Sequence, residues 1–597
     1  MPATLYKTVD ALRSAMPIAG SNVETMSTSA TVDGGRRTWK GVAGAQVGAY
    51  TNNGVTVLVP SGGDGSGAWV CQLPRDVDFR WFGAVGGDRV ADTAAFKSLC
   101  QWINGLAVAA GGTDSVPGTA GVTVYFPPAS SPYIFDFSTE SFGPDVQIHN
   151  AKSVRFLGDQ TRIKVADGAR VGYSTLDDEQ AYALYFQNCE DITVDGFDLD
   201  GNLANLSIGP NDGRGLGVAL YKVHNSKILN CNIHDFGTDG IFLWSRVAND
   251  PTSCENVTLE NVRCHRNRRQ GMSIGAAINT TCISCKFNDT GTGAFDTAPR
   301  AGVDLEPSFA TDVVRGTTFV GCEFLGNEGA GFVSDTLAEQ VTDTTFSGCE
   351  IQVLWCRHPS VSVHGGLVRG YLFNYYGSIY GARLELNSSD ASYGVASVND
   401  GAGMMLDGCE IVIDCTGNFS GLSLDGTGGK TIRNSTVEFK NTDQLSGTFA
   451  SLIRGAETVL ENVDFSDSGT TKSVYISVTD AHMRNCRSRS SNISFEGLNG
   501  RRYMDDVGGF LENPSSSNTF IPTAKKHALT AARTINAFNC PAGSKVRIKA
   551  EGVSVTIVDN GSFTPLSAGD LALSDGEECV LYFPTASTAR QLQEWEW

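Results

Sequence analysis

The chain has 597 residues, of which 41% are hydrophobic, 18% are charged and 68 are glycine. This length exceeds what one compact core accommodates, so we expect two to four domains built from many short strands and turns. The net charge of −20 argues against nucleic acid as the main partner, because a surface that neutralises phosphates must be basic. No secretory signal and no apolar run of membrane-spanning length is visible, so no membrane insertion is expected.

Residues 1–77 are rich in Gly and Thr and contain short alternating runs such as Val55–Val59, which predicts a small N-terminal β module. A capping helix is predicted near residues 92–107, with Asp92 as its N-cap. Its apolar residues recur at helical spacing, at Ala95, Phe96, Leu99, Ile103 and Leu106. Such a helix would cover the open end of the repeat that follows, whose unpaired edges otherwise favour aggregation.

A short pattern recurs through the middle of the chain, in which apolar and polar residues alternate around an Asn or a Gly. It occurs at Val194–Leu199 and Leu229–Ile233, and again at Asn261, Ser284, Gly321, Gly348, Gly408, Asn434, Asn462 and Asn485. The alternation is typical of strands with one buried face, and the Asn or Gly column indicates sharp corners that need a left-handed backbone. Spacings from the low twenties to the mid thirties predict the coils of a solenoid, which bury their apolar faces by stacking.

Six cysteines occupy one predicted inward column of this repeat, at positions 231, 285, 322, 349, 409 and 486. We expect a ladder of buried thiols there, although disulfides are the alternative. Cys282 and Cys285 form a CxxC pair without a second pair at zinc spacing. No metal site and no cofactor are therefore expected.

Residues 79–96 and the run VTVYFPP at 122–128 resemble the opening of the pectate-lyase-like β-helix domain common in bacteriophage tailspikes. The resemblance implies an all-β fold, a right-handed parallel β-helix over residues 78–505. It also implies that residues 1–77 attach to the virion, through a phage tail or adaptor protein. A capping module without a partner is the alternative for these residues.

Residues 506–597 alternate in the manner of an antiparallel β-sandwich, and the chain ends on Trp595 and Trp597. In similar proteins such a module drives homotrimer formation or binds carbohydrate. Two tryptophans fit either role, because aromatic rings stack on sugars and also anchor interfaces.

Five strands that follow glycines 217, 240, 271, 302 and 331 carry the candidate site. Their first and third residues are mostly apolar and should point inward, so that the second and fourth point to solvent. The outward set comprises Tyr221, Trp244, Asp304, Glu306 and Asp335. Aromatic rings beside carboxylates are what a glycan-cleaving site needs, as platforms for sugars and as an acid and base pair.

Asp304 and Glu306 lie two residues apart on one strand, hence roughly 6.5–7 Å between Cα atoms, which leaves room for a water and predicts inversion of configuration. Pairing of Glu306 with Asp335 across coils would permit retention instead. Glu306 is assigned as the general acid, because Leu305 and Pro307 limit its solvation, and Asp304 as the base. Asp239 is a further candidate carboxylate, although a turn position explains it equally well.

The coil before this strand carries His265, Arg268 and Arg269, and residues 290–300 build a long loop. These two arginines would clamp a sugar carboxylate, or else pair with Asp304 or Asp335 and do nothing further. Asp304 and Glu306 themselves are as readily explained as solvated side chains.

The sequence thus predicts a tailspike depolymerase that sits on the phage virion and hydrolyses a bacterial surface polysaccharide, either capsule or O-antigen. A polysaccharide lyase on the same fold, using His265, Tyr221 and Arg268, is one alternative. A non-catalytic adhesin or structural tail fibre is another.

Overall fold

The computed structural model describes residues 75–489 apart from 138–145, 173–180, 211–212, 245–252, 293–296, 335–339, 357–359, 374, 388–402, 416–421, 425–428, 445–448, 457, 470–472 and 480–481. Outside that range only the strands given below are described, and for most of these strands, as for a few within the range, the backbone alone is described. The chain divides into two compact units, residues 1–344 and 345–597. No helix in the described ranges combines the length and the apolar character needed to cross a bilayer.

The N-terminal module predicted over residues 1–77 contains a five-stranded sheet. In this sheet the first two strands are parallel and the remaining pairs are antiparallel. In chain order the strands are Thr4–Thr8, Asn22–Ser27, Arg37–Ala43, Val57–Leu58 and Gly67–Cys71.

The predicted capping helix is present but longer than expected, from Arg89 to Ala109. Its N-cap is Asp88, whose carboxylate accepts from the backbone N–H groups of Val90 and Ala91, so the assignment of this role to Asp92 was wrong. Asp92 lies fully buried in the first turn. There its carboxylate accepts hydrogen bonds from the backbone N–H groups of Val85, Gly86 and Ile134. These bonds connect the segment before the helix, and the strand Tyr133–Phe135, to the helix.

The elements that surround this helix lead into the first coils. They are the strand Asp76–Asp78, the 3-10 turn Phe79–Phe82, the strands Gly118–Phe126, Tyr133–Phe135, Ile148–His149, Ala151–Val165, Arg170–Val171 and Leu184–Asp200, the 3-10 turn Leu203–Asn205, and the strand Ser207–Ile208. Leu184–Asp200 is long enough to pair with strands on three successive sides of the next coil.

From residue 218 onward the first unit repeats a regular coil in which every strand pairs parallel with the strand one coil later. The front sheet, which carries the candidate site, consists of Val218–His224, Asp239–Trp244, Gln270–Ile274, Ala301–Leu305 and Phe332–Ser334. The second sheet consists of Lys227–Leu229, Thr258–Glu260, Thr281–Ile283 and Thr318–Val320. The third sheet consists of Asn232–His234, Arg263–His265, Lys286–Asn288 and Glu323–Phe324. Short strands Cys254–Glu255, Ala277–Ile278, Val314–Arg315 and Val341–Thr342 form a further column.

The predicted corner column adopts the left-handed backbone conformation. Asn230, Asn261 and Ser284 have φ angles of 50°, 54° and 52°, and Gly321 has 59°. The amide of Asn261 donates to the side-chain oxygen of Asn230 at 2.9 Å, so that neighbouring corners are also joined by side chains. Asn tolerates this conformation better than other residues with a Cβ, which explains its recurrence.

The inward cysteine ladder is confirmed. In the first unit Cys231, Cys285 and Cys322 are at most 2% exposed, and in the second unit Cys349, Cys409 and Cys486 are equally buried. Among the described residues no cysteine forms a disulfide. Burial raises the pKa of the Cys231 thiol to about 12, which keeps it protonated and inert.

The second unit contains further parallel coils up to residue 505. Its elements are Thr344–Ser347, Glu350–Cys356, Val361–His364, Leu367–Phe373, Ser378–Tyr380, Arg383–Asn387, Met405–Asp407, Glu410–Asp414, Leu422–Leu424, Lys430–Arg433, Thr436–Lys440, the 3-10 turn Thr442–Gln444, Phe449–Ala456, Thr458–Glu461, Asp464–Asp467, Ser473–Thr479, His482–Arg484, Arg487–Ser488, Ile493–Glu496 and Tyr503–Asp505.

Strand pairing beyond residue 505 is mixed, whereas the sequence predicted an antiparallel sandwich over 506–597. Ser544–Ala550 pairs antiparallel with Glu578–Thr585 but parallel with Lys526–Leu529. The strands are Leu511–Glu512, Thr519–Phe520, Lys526–Leu529, Arg533–Ile535, Ala537–Phe538, Ser544–Ala550, Val555–Ile557, Phe563–Thr564, Leu571–Leu573, Glu578–Thr585 and Thr588–Gln591. Trp595 and Trp597 lie outside the described residues.

Candidate active site

The outer face of the front sheet brings two rows of side chains into register. One row runs from Phe242 through Ser273 to Asp304 on successive coils. At the next outward position Trp244, Gly275 and Glu306 follow one another. An aromatic pair therefore lies two coils, about 10 Å, from a carboxylate pair.

The predicted alternation is correct, but the predicted solvent exposure holds only for Trp244 and Glu306, which are partly exposed. The inward residues Ile241, Leu243, Val303 and Leu305 are fully buried. Of the outward residues, however, Asp304 is only 6% and Tyr221 only 5% exposed. Alternation along the strand determines the direction of a side chain, whereas its exposure also depends on neighbouring side chains. For Asp304 one such neighbour is Gln270.

Three carboxylates of this face gather around one guanidinium. Arg269 donates bidentately to Glu306, at 2.9 and 2.7 Å, and its Nη1 lies 3.6 Å from Oδ2 of Asp239. Asp304 accepts a hydrogen bond from the amide of Gln270 at 2.8 Å. We call Asp239, Arg269, Gln270, Asp304 and Glu306 the Arg269 cluster.

Because Nη1 lies 2.9 Å from Oε1 of Glu306 and 3.6 Å from Oδ2 of Asp239, these two oxygens are at most about 6.5 Å apart, which is within reach of a paired-carboxylate mechanism. Asp239 is 1% exposed and also accepts from the Ser273 hydroxyl at 3.0 Å. It is therefore an integral member of the cluster, and its role extends beyond the local turn that the sequence suggested.

The cluster groups three carboxylates with one arginine. Burial lowers the pKa of Arg269, but Asp239, Glu306 and Asp304 outweigh that effect, so that the pKa of Arg269 lies above its ordinary value. Arg269 therefore remains charged at every working pH. Grouped carboxylates in a buried setting are a recurrent mark of functional sites.

The aromatic residues pack against one another beside this cluster. Trp244 stacks on Phe242, with ring centroids 5.1 Å apart, and meets Tyr221 edge-on at 6.0 Å. The guanidinium of Arg214 lies 4.9 Å from the centroid of the Trp244 ring. Tyr221 is thus buried in the patch, and Trp244, which is partly exposed, is the better candidate to contact a sugar.

The remaining predicted site residues are placed elsewhere. His265 lies on the third sheet, where its ring nitrogens contact Asn232 and Arg266 at 2.9 and 2.8 Å. Arg268 is buried and directs its guanidinium to the carbonyl oxygen of Gly237. Asp335 lies outside the described residues, as do residues 293–296 of the predicted loop.

His265 belongs to a second polar group on the third sheet. Here His234 lies between two carboxylates, at 2.6 Å from Asp235 and 3.1 Å from Asp198, and it stacks on His265 at 5.1 Å. Arg266 pairs with Asp235 at 2.6 Å, and Arg162 pairs with Asp198 at 3.1 Å. We call Arg162, Asp198, His234, Asp235 and Arg266 the His234 cluster.

Burial lowers the pKa of His234, but hydrogen bonds to Asp198 and Asp235 outweigh it and raise the pKa to about 9. The pKa of Asp235 falls to about 2, since its bonds to His234 and Arg266 outweigh burial.

Asp200, His234 and Asp235 offer donor atoms within 4.8 Å of one another, the grouping in the described ranges that comes nearest to a metal site. Protonated His234 and Arg266 already supply the positive charge there, so these residues fit a metal ion poorly.

Sequence reasoning missed Gln270, Ser273 and Phe242 as members of the site. Gln270 is fully buried and shares its register with Asp239 one coil earlier. The signal was present in the pair Arg269–Gln270, two polar residues at the start of an otherwise apolar strand. Alternation alone assigned no function to that strand start.

Comparison with known proteins supports the fold. Residues 145–351 match the family model described as right handed beta helix region. This part of the chain is a right-handed parallel β-helix, as the sequence predicted. An uncharacterized protein of Bacillus subtilis, YclG, is 28% identical over 176 residues, which make up 27% of this chain and 29% of YclG. The chain thus matches less than a third of the length of this curated relative.

Solved structures with a similar course of the chain have diverse functions. The tailspike gp49 of Acinetobacter baumannii bacteriophage Fri1, a capsular polysaccharide depolymerase, is 14% identical, with 84% of this chain and 76% of that chain covered and a TM-score of 0.38. The gp42 tailspike of Acinetobacter phage AS12 is 12% identical, with 100% and 94% covered and a TM-score of 0.40. PfbA, a surface adhesin of Streptococcus pneumoniae, is 10% identical, with 73% and 97% covered and a TM-score of 0.32. Because one fold hosts many functions, the function of this chain must be argued from the site.

Proposed function

We propose that this protein is a tailspike depolymerase that hydrolyses a bacterial surface polysaccharide, capsule or O-antigen, on the outer face of the front sheet. The observation that carries the proposal is the Arg269 cluster. Its Asp304 and Glu306 lie two residues apart, on the same outer face as Phe242 and Trp244. Carboxylates supply the acid and base for glycosidic bond cleavage, and a nearby aromatic edge supplies apolar contact for a sugar ring.

The arrangement of hydrogen bonds favours a reversal of the two roles assigned from the sequence. A general acid must present an O–H group to the leaving oxygen, whereas both oxygens of Glu306 accept hydrogen bonds from Arg269. Glu306 therefore suits the base, which accepts a proton from the attacking water, and Asp304 suits the acid. Asp239 supports the pair by helping to hold Arg269 in place. Two residues along a strand give about 6.5–7 Å between Cα atoms, and we infer inversion of configuration, which requires carboxyl groups about 6.5–9.5 Å apart.

Hydrolysis is favoured over a lyase reaction by the position of the cations. A lyase needs a cation that neutralises a uronate carboxylate and a base that removes the neighbouring proton. Arg268 directs its guanidinium to the carbonyl oxygen of Gly237, Tyr221 is buried against Trp244, and His265 lies on the third sheet. The residues that a lyase would recruit are therefore committed to other partners.

The remaining parts of the proposal concern assembly and location. We infer that the protein forms a homotrimer, that residues 1–77 attach it to a phage tail or adaptor protein, and that it acts at the host cell surface from the virion. Sedimentation equilibrium should give three times the chain mass of 63.4 kDa, and a monomer would contradict the trimer without bearing on the site.

The reaction is tested by incubating the protein with a panel of purified capsular polysaccharides and O-antigens. We expect one polysaccharide to shorten with release of reducing ends and without new ultraviolet absorbance. Absorbance from a carbon–carbon double bond would indicate a lyase. Binding without any shortening would indicate an adhesin and contradict the proposed hydrolysis.

A further inference from the structure

Gln270 is a fully buried polar side chain at the centre of the Arg269 cluster. It begins the strand Gln270–Ile274, directly after Arg269, and lies in register between Asp239 and Ala301. Its exposure is 0%. A buried amide costs free energy unless its donor and its acceptor both find partners, so its presence on a strand calls for a specific reason.

Both ends of the Gln270 amide contact members of the cluster. The oxygen accepts from Nη1 of Arg269 at 3.3 Å, and the nitrogen donates to Oδ2 of Asp304 at 2.8 Å. The donor toward Asp304 must be the NH2 group, because a guanidinium has no acceptor and the oxygen therefore faces Arg269. Gln270 thus links Arg269, which holds Glu306, to Asp304.

We propose that Gln270 is a positioning residue that orients Asp304 as the proton donor and couples it to the Arg269–Glu306 pair. The inference rests on the proposed hydrolase function. The amide donates to Oδ2, and the carbonyl oxygen of a protonated carboxyl is the better acceptor, so the acidic proton of Asp304 is assigned to Oδ1. In the reaction that proton moves from Oδ1 to the glycosidic oxygen as its bond to the anomeric carbon breaks. The water oxygen forms the new bond to that carbon, and its proton passes to Glu306.

The proposal predicts that the effect of replacing Gln270 depends on pH. In Gln270→Glu the new carboxyl has the same shape. When protonated it can donate to Asp304 and accept from Arg269, but when ionised it has no donor and adds a further negative charge to the cluster. Gln270→Leu removes both contacts at every pH. Misorientation of a catalytic group costs about a hundredfold in rate, so we expect kcat of both variants to fall about a hundredfold at neutral pH.

The experiment measures kcat and KM against pH on the purified polysaccharide that the wild-type protein shortens. We expect Gln270→Glu to regain activity in acid, Gln270→Leu to stay low throughout, and KM to change little in either. Gln352→Glu makes the same chemical change on the strand Glu350–Cys356 of the second unit and should keep the wild-type profile. Melting temperature in acid checks that Gln270→Glu is folded where its activity is compared.

A Gln270→Glu profile that coincides with the wild-type profile would overturn the positioning role and leave the hydrolase function intact. So would a Gln270→Leu variant with wild-type kcat. If the wild-type protein shortens no polysaccharide of the panel, the hydrolase function fails first, and the positioning role fails with it.

Discussion

The Arg269 cluster and the His234 cluster are two charged groups on the same solenoid, and they differ in how their carboxylates are paired. In the His234 cluster Asp198 and Asp235 each have their own arginine, Arg162 or Arg266, and share His234. In the Arg269 cluster Asp239 and Glu306 lie against the same guanidinium, and the negative charge of Asp304 also acts on it. Carboxylates with cations of their own are typical of a structural group, whereas carboxylates grouped around one buried cation recur at functional sites. The comparison therefore separates a structural group from a candidate catalytic one.

The largest effect that this comparison predicts is on activity. Removing an acid or base costs about 10²–10⁴-fold in rate, so we expect Asp304→Asn and Glu306→Gln each to lower kcat about a thousandfold with little change in melting temperature. Glu323→Gln is the matched control, because Glu323 is an outward carboxylate of the third sheet that is paired with Lys286 at 2.8 Å. If Asp304→Asn and Glu306→Gln both kept the wild-type kcat, neither carboxylate would have a catalytic role.

A second effect concerns stability when one cation is lost from each cluster. Arg269→Met leaves its carboxylates buried without their cation and should cost about 3 kcal/mol. Arg266→Met should cost less than about 1 kcal/mol, because Arg266 is half-exposed and His234 still faces Asp235. Thermal unfolding at several pH values measures both. The deficit of Arg269→Met should shrink in acid, where carboxyl groups take up protons. Equal losses in the two variants would contradict the difference between the clusters.

A third effect is the pH dependence of stability from His234. Its folded pKa of about 9 lies above the ordinary value, so its contribution is complete below about pH 6.5 and is lost as the pH rises through about 9. After allowance for solvent screening we expect a loss of roughly 2 kcal/mol. In His234→Gln this alkaline loss should be absent. If His234→Gln lost as much stability at alkaline pH as the wild-type protein, the loss would come from the titration of another group.

The smallest effect tests the corners of the coil. Asn261 combines a φ of 54° with an amide bond to Asn230, so Asn261→Ala should cost about 1 kcal/mol. Asn261→Gly should cost less, since glycine adopts this conformation without strain. Denaturation in urea measures the two variants side by side, and an alanine variant as stable as the glycine variant would show that the backbone conformation contributes little.

Much of the fold could be predicted from the sequence, because the coil repeats a simple physical requirement. Each coil needs apolar residues on its inner side and a corner with left-handed backbone conformation. The recurring Asn and Gly residues therefore predicted the corners, and the recurring cysteines predicted the inner side. The helix was located through its apolar spacing, but its start was misplaced, because Asp88 and Asp92 are both acceptable caps by sequence. Only the structure shows that Asp92 binds Val85, Gly86 and Ile134.

The site could be predicted only in part, because the sequence gives the direction of a side chain but not its partners. Alternation placed Asp304 and Glu306 on one outer face. It did not reveal that Arg269 binds Glu306, that Gln270 binds Asp304, or that His265 lies on a different sheet. These contacts depend on the register between coils of unequal length, which a single sequence does not determine.

The most direct test of the central claim is the structure of Glu306→Gln bound to an oligosaccharide from the polysaccharide that the wild-type protein shortens. We expect a sugar chain across the outer face of Gln270–Ile274, with a glycosidic oxygen within hydrogen-bond distance of Asp304. An oligosaccharide bound at the His234 cluster, or elsewhere with Asp304 and residue 306 uncontacted, would contradict it.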